Sequence, residues 1–203
     1  MSPRPLRRRL AVSFARWMRW LHIYLSMLGL AAVLFFGATG LTLNHPDWFF
    51  AGRERTVQAE GRVDPKWLGP PDEVARLEVV EHLRSAHDVR GALVEFRIEP
   101  DECLVTFKGP GYAADAFIDR ASGHYNLTQT VHGFVAVIND LHKGRDTGRA
   151  WSLVIDVSAV LMTVIALTGL VLLFYLKLRR IPGLIVALVG TAALAAVIRW
   201  FVP

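Results

Sequence analysis

Residues 21–43, LHIYLSMLGLAAVLFFGATGLTL, carry no charged side chain apart from the titratable His22. At 1.5 Å per residue, a helix of this length reaches about 34 Å, enough to cross the hydrocarbon core of a bilayer. Two further runs share the character: residues 151–176, WSLVIDVSAVLMTVIALTGLVLLFYL, and 184–202, LIVALVGTAALAAVIRWFV. Three such runs in a chain that is 53% hydrophobic exclude a single water-soluble domain. The first run is too long for the apolar part of a signal peptide, and no small-x-small cleavage site follows it. The fold class expected is a membrane α-helical protein with three transmembrane helices and a small periplasmic α+β domain inserted between helices 1 and 2.

Charge gives the orientation. Arg4, Arg7, Arg8, Arg9, Arg16 and Arg19 precede the first span without an acid, and Lys177, Arg179 and Arg180 stand alone between the second and third. Residues 44–150 carry 13 basic and 17 acidic residues, net −4. The positive-inside rule then puts the N-terminus and the 177–183 turn in the cytoplasm, and the middle region and C-terminus in the periplasm of a bacterial inner membrane. The net charge of +5 is thus a topology signal, and no nucleic-acid partner is implied. Trp17, Trp20, Trp48 and Trp151 fit interfacial belts, with membrane lipid as the surrounding partner.

The organisation expected is a basic N-terminus at 1–20, helix 1 at 21–45, a periplasmic domain with its linker at 46–126, and an interfacial helix and loop at 127–150. Helix 2 at 151–176, a turn at 177–183 and helix 3 at 184–203 follow. Pro46, Pro65, Pro70 and Pro71 among charges make 44–70 read as a linker. PPDEVARLEVVEHLRSAH (70–87) reads as a helix with a Val74, Leu77, Val80, Leu83 stripe. ALVEFRI (92–98), CLVTFKG (103–109) and ADAFIDR (114–120) alternate as three antiparallel strands. A core this small is expected to lean on the membrane part. No nucleophile elbow, phosphate loop or paired-cysteine site appears. His82, His87 and His124 read as ordinary surface histidines, and Cys103, the single cysteine, as a small buried hydrophobe.

Four histidines lie at the membrane boundaries: His22 at the inner end of span one, His45 at its outer end, and His132 and His142 in TVHGFVAVINDLHKG before span two. Pro46 biases His45 out of helical geometry, so the first span should stop there. Val131, Phe134, Val135, Ile138 and Leu141 have helical spacing, which would place His132 and His142 on one helix. Ten helical steps would separate them by about 15 Å and roughly 80°, so each would need a partner from another element, with His45 at the right depth. Two readings stand side by side. Neutral imidazole is the common ligand of haem iron, and it also hydrogen-bonds lipid and backbone at an interface. Under the first reading Lys143, Arg145 and Arg149, and Arg16 and Arg19, could pair with haem propionates, and Asp140 could orient a ligand ring. Ser26, Gly29, Gly37 and Gly40 thin one side of span one, and Thr168-Gly169 interrupts span two; such gaps admit a neighbouring helix or a flat macrocycle. Asp156, about one turn into span two, is expected to be buried, either supporting a ligand ring, or linked to proton movement, or hydrogen-bonded to Ser26 or Thr39 of a neighbouring helix.

These residues resemble a family. LHIYLSMLGLAAVLFFGATGLTLNHPDWF is similar to the first span of PepSY-associated transmembrane proteins, and LHKGRDTGRAWSLVIDVSAVLMTVIALTGL to their L-H-x-G-R element and the span ending in T-G-L. The middle helix and strands resemble a PepSY domain, with FIDRASGHY like its D-x-x-T-G turn. Larger relatives include inner-membrane reductases that release iron from ferric siderophores through b-type haems. The resemblance implies that His22 and His142 occupy the family's histidine positions, with His45 and His132 matching short-form members. It implies haem b as the cofactor, one or two per protomer or dimer, whose propionates Arg19, Arg145 and Arg149 could meet. The lone cysteine excludes a C-x-x-C-H attachment, in keeping with non-covalent haem. With three spans and one PepSY unit, His22 is the only histidine on its side, so a homodimer is expected to supply two copies of it. The function implied is electron relay to a periplasmic acceptor, a ferric chelate or a flavoprotein. The alternative is a non-catalytic, membrane-anchored PepSY module that binds or regulates a periplasmic protein.

Overall fold

The computed structural model describes residues 6–45, 48 and 54–203. Arg4 and Pro46 lie outside the described residues. The chain divides into two compact units, residues 1–34 with 156–203, and residues 35–155.

The first unit is helical. It holds most of α1 (Leu6–Asn44), most of α4 (Gly148–Tyr175) and α5 (Arg180–Phe201). These three helices are long and apolar enough to cross a membrane, as in a multi-pass membrane protein. α1 meets α4 at Gly29, where an added Cβ would press on Ile165 and Leu161, so the absent side chain is what allows the close approach. Gly183 of α5 likewise admits Leu173 of α4. Gly37 has open space around it. Asp156 differs from expectation: it lies on the exposed surface of α4 and has no hydrogen-bond or ion-pair partner among the described residues.

The second unit is an α+β domain lying between α1 and α4 in the chain. Five antiparallel strands are ordered β1-β5-β4-β3-β2. Three were expected: β2 (Ala92–Ile98), β3 (Glu102–Gly109) and β4 (Tyr112–Asp119). The other two replace the linker and the start of the expected helix. β1 (Glu54–Arg62) pairs along its whole length with β5 (His124–His132), from Glu54 opposite His132 to Arg62 opposite His124. Backbone pairing defines β1, because Val57 and Ala59 are its only larger-than-glycine apolar residues.

One sheet face is covered by α2 (Arg76–His87), which buries Val79, Val80 and Leu83 against Val105, Phe107, Ala116, Ile118, Tyr125 and Leu127. α2 starts later than expected, since two 3-10 turns, Pro65–Leu68 and Pro71–Glu73, take up the prolines. Leu77 therefore points outward, 69% exposed. Cys103 is fully buried in β3, where burial pushes its thiol up from the ordinary value. In the β4–β5 turn Asp119 Oδ1 accepts the Ser122 amide at 2.7 Å, and Gly123 has φ +71° with the Val63 carbonyl where a Cβ would stand. The Ser122 hydroxyl and amide hold the Asp119 carboxyl below its usual range.

Gly133 ends β5, and α3 (Phe134–Lys143) follows. Gly144 in the left-handed region closes α3, its N–H meeting the Asp140 and Leu141 carbonyls. His132 is thus a strand residue and His142 a helix residue, so the expected spacing along one axis does not apply.

Candidate functional site

The four histidines fall into two kinds of surroundings. His22, half-buried on α1, turns Nδ1 toward α4: it lies 2.9 Å from Thr168 Oγ1 and 3.1 Å from the Ile165 carbonyl oxygen. Thr168 is buried and its hydroxyl donates to its own helix, to the Val164 or Ile165 carbonyl. The ring rests against Gly169, where a Cβ would stand 3.1 Å from Cε1.

His142 near the end of α3 has the same arrangement on α1. Its Nδ1 is 2.6 Å from Thr39 Oγ1, and Thr39, also buried, donates its hydroxyl to the Phe35 carbonyl at 2.6 Å. The ring passes beside Gly40, 3.7 Å from where a Cβ would be, and meets the edge of Phe36. Asn139, one turn earlier, accepts from the Thr42 hydroxyl at 2.7 Å. The Trp151 indole N–H donates to the Leu141 carbonyl at 2.7 Å, directly before His142. α3 is held to the sheet by Asp140, whose Oδ2 accepts the Gly111 amide at 2.9 Å. Asp140 therefore orients α3, and the groups that orient the rings are threonines.

His45 and His132 have other neighbours. His45, just past the end of α1, stacks on Trp48 with centroids 3.8 Å apart and planes 8° apart. His132 Nδ1 is 3.9 Å from Glu54 Oε2, and the residue lines a cleft of about 530 Å³ with His87, Arg90, Tyr112 and Gln129. Among the described residues, none of the four histidines is hydrogen-bonded or ring-stacked to another. Nε2 of His22 and of His142 has no hydrogen-bond partner among the described residues.

Cations lie close to both histidines in the sequence. Arg19 lines a cavity of about 520 Å³ with Arg16, Tyr175 and Lys177. Lys143, Arg145 and Arg149 are exposed. None of these six Arg and Lys side chains has an ion-pair partner among the described residues.

The family model described as PepSY_TM-like matches residues 16–203. The chain belongs to this family. Neither the curated proteins nor the solved structures gave a match. The PepSY_TM-like match takes in both histidine–threonine contacts and the whole sheet domain. Within that domain His82 and His87 are not loose surface groups: both direct Nε2 at the buried Tyr125 hydroxyl, at 3.3 and 2.7 Å. Burial pushes the Tyr125 phenol up, and the Tyr112 phenol also, where the Arg90 amide and guanidinium oppose the rise.

The sequence pointed to His22 and His142 but missed Thr39 and Thr168 as their partners. The available signal was the repeated triplet T-G-L, at 39–41 and 168–170.

Proposed function

We propose that this PepSY_TM-like protein is a multi-pass inner-membrane b-type haem protein that relays electrons to a periplasmic acceptor, a ferric chelate or a flavoprotein. The observation that carries the reading is the state of His22 and His142. Each ring is anchored at Nδ1 by a buried threonine, and each Nε2 has no hydrogen-bond partner among the described residues. Anchored imidazole with one free nitrogen is the donor chemistry that haem iron accepts, so the residues present fit the group. Bound haem would supply reversible one-electron chemistry.

The chain's own residues do the rest. His22 and His142 would each give one ring nitrogen to the iron. The second ligand at His22 would come from the same residue of a second copy, which makes the active form a homodimer. His45 and His132 are the candidates for the second ligand at His142, and either would have to leave its present neighbour. Arg19 with Arg16 and Lys177, and Arg145 with Arg149 and Lys143, would neutralise propionates. No side chain has to act as acid, base or nucleophile. The orientation is the one the arginines favour, with the N-terminus cytoplasmic and the sheet domain periplasmic.

The test is a pyridine-haemochrome assay on detergent-purified protein from cells supplied with haem precursor. A red preparation is expected, with His22→Ala removing about a third of the haem, the one group shared by the two protomers, and His142→Ala removing the remainder. A colourless wild-type preparation would overturn this reading in favour of a haem-free module that binds a periplasmic partner.

A further inference from the structure

The two T-G-L triplets do the same thing for two different histidines, and they do it crosswise. The chain contains Leu21-His22 followed by Thr39-Gly40-Leu41, and Leu141-His142 followed by Thr168-Gly169-Leu170. The histidine of the first set sits on the Thr-Gly of the second, and the histidine of the second on the Thr-Gly of the first.

Proton counting fixes what the threonines accomplish. A threonine hydroxyl has one proton and lone pairs to spare. At Thr39 that proton points to the Phe35 carbonyl, which can only accept, so the oxygen meets His142 Nδ1 as an acceptor. At Thr168 the proton goes to the Val164 or Ile165 carbonyl, and His22 Nδ1 faces both the hydroxyl oxygen and the Ile165 carbonyl. An unprotonated Nδ1 would put lone pair against lone pair in both places. Nδ1 therefore carries the hydrogen, and in the neutral ring the lone pair stands on Nε2. We infer that Thr39 and Thr168 are positioning residues that set the tautomer of His142 and His22 respectively, so that both rings present an Nε2 lone pair before any ligand arrives. The inference rests on the haem reading only for what that lone pair binds.

The two controls are unequal. Thr39 is the sole hydrogen-bond partner of His142 Nδ1 among the described residues, whereas His22 Nδ1 keeps the Ile165 carbonyl if Thr168 is lost. Histidine-selective ¹⁵N NMR of the full chain in detergent, without haem and at a pH where the rings are neutral, reads the tautomer directly. The wild type should show an unprotonated Nε2 at both rings. Thr39→Val should return His142 to a mixture of tautomers and leave His22 unchanged. Thr168→Val should move His22 by a smaller amount and leave His142 unchanged, and serine at either position should restore the wild-type signal. An Nε2–H tautomer in the wild type, or a His142 signal indifferent to Thr39→Val, would overturn the inference. So would a single variant that moves both rings alike. Adding haemin to the same samples separates the two ideas: wild-type tautomers as stated with no haem uptake uphold the threonine role and sink the haem reading alone. If haem binds, Thr39→Val should also shift the midpoint potential, while Thr39→Ser should leave it near the wild-type value.

Discussion

A methyl group added at Gly169 should act against the protein, while the same methyl at Gly40 should help it. Both glycines are interior to helices, so alanine at either gains about 0.5–1 kcal/mol by restricting the unfolded backbone. At Gly40 the new Cβ would stand 3.7 Å from His142 Cε1, an ordinary contact, so that gain survives. At Gly169 it would stand 3.1 Å from His22 Cε1 and 3.7 Å from Nδ1, so the ring must retreat by a few tenths of an ångström. The retreat pulls on hydrogen bonds of 2.9 and 3.1 Å that already fix Nδ1. Overpacking of this kind costs about 1–3 kcal/mol, which places Gly169→Ala below Gly40→Ala by roughly that amount. Reversible denaturation of the two variants in one detergent measures the gap. The control is a His22→Ala background, where the obstacle is gone and Gly169→Ala should stabilise as Gly40→Ala does. The reasoning is refuted if the two alanines are equal in the wild-type background, or if the penalty at 169 persists without His22.

Other consequences follow from the sheet domain. Gly61 faces Tyr125 so closely that a Cβ would overlap the hydroxyl. Gly61→Ala should therefore lower the unfolding midpoint by an amount equivalent to about 1–3 kcal/mol, partly relieved by Tyr125→Phe in a thermal melt. Asp140→Ala removes the carboxylate that accepts the Gly111 amide at 2.9 Å, so about 1.5–3 kcal/mol should be lost locally, visible as faster hydrogen exchange at Gly111. Alkaline pH gives a signed prediction. The Tyr112 and Tyr125 phenols are held above their ordinary value by burial, so the folded chain keeps these protons more tightly than the unfolded one. Their contribution is complete below a phenol's ordinary pKa of about 10 and is lost as pH climbs through the raised folded values. Denaturant midpoints measured against pH should fall there, less steeply in Tyr125→Phe.

The legible parts of this chain were those whose signal is local. Apolar length alone gave three candidate spans, and period-two alternation gave β2, β3 and β4 almost to the residue. β1 was hidden because an edge strand with few apolar side chains is made by its partner's backbone, and that partner is some 70 residues away. β5 was hidden for a different reason. Tyr125 and Leu127 alternate as a strand should, but Val131 falls into helical spacing with Phe134 and Val135, and only Gly133 marks where one period gives way to the other. The histidines were visible because imidazole is unusual beside a span. Their threonines were not, because Thr-Gly inside an apolar helix reads as helix packing until something polar is known to lie opposite. Distance from the helix ends was no guide either. Thr39 is five residues before the end of α1, and His142 is six residues before the start of α4. Thr39 thus lies inside its helix while His142 lies ahead of α4 on a separate helix, and it is the placement of α3 that brings the ring back to α1. His22 and Thr168 lie 16 residues after the start of α1 and seven before the end of α4, and meet at 2.9 Å across the pair. A threonine hydroxyl committed to its own helix can only accept from a histidine set against it, so where the fold places one ring nitrogen there, the lone pair belongs to the other.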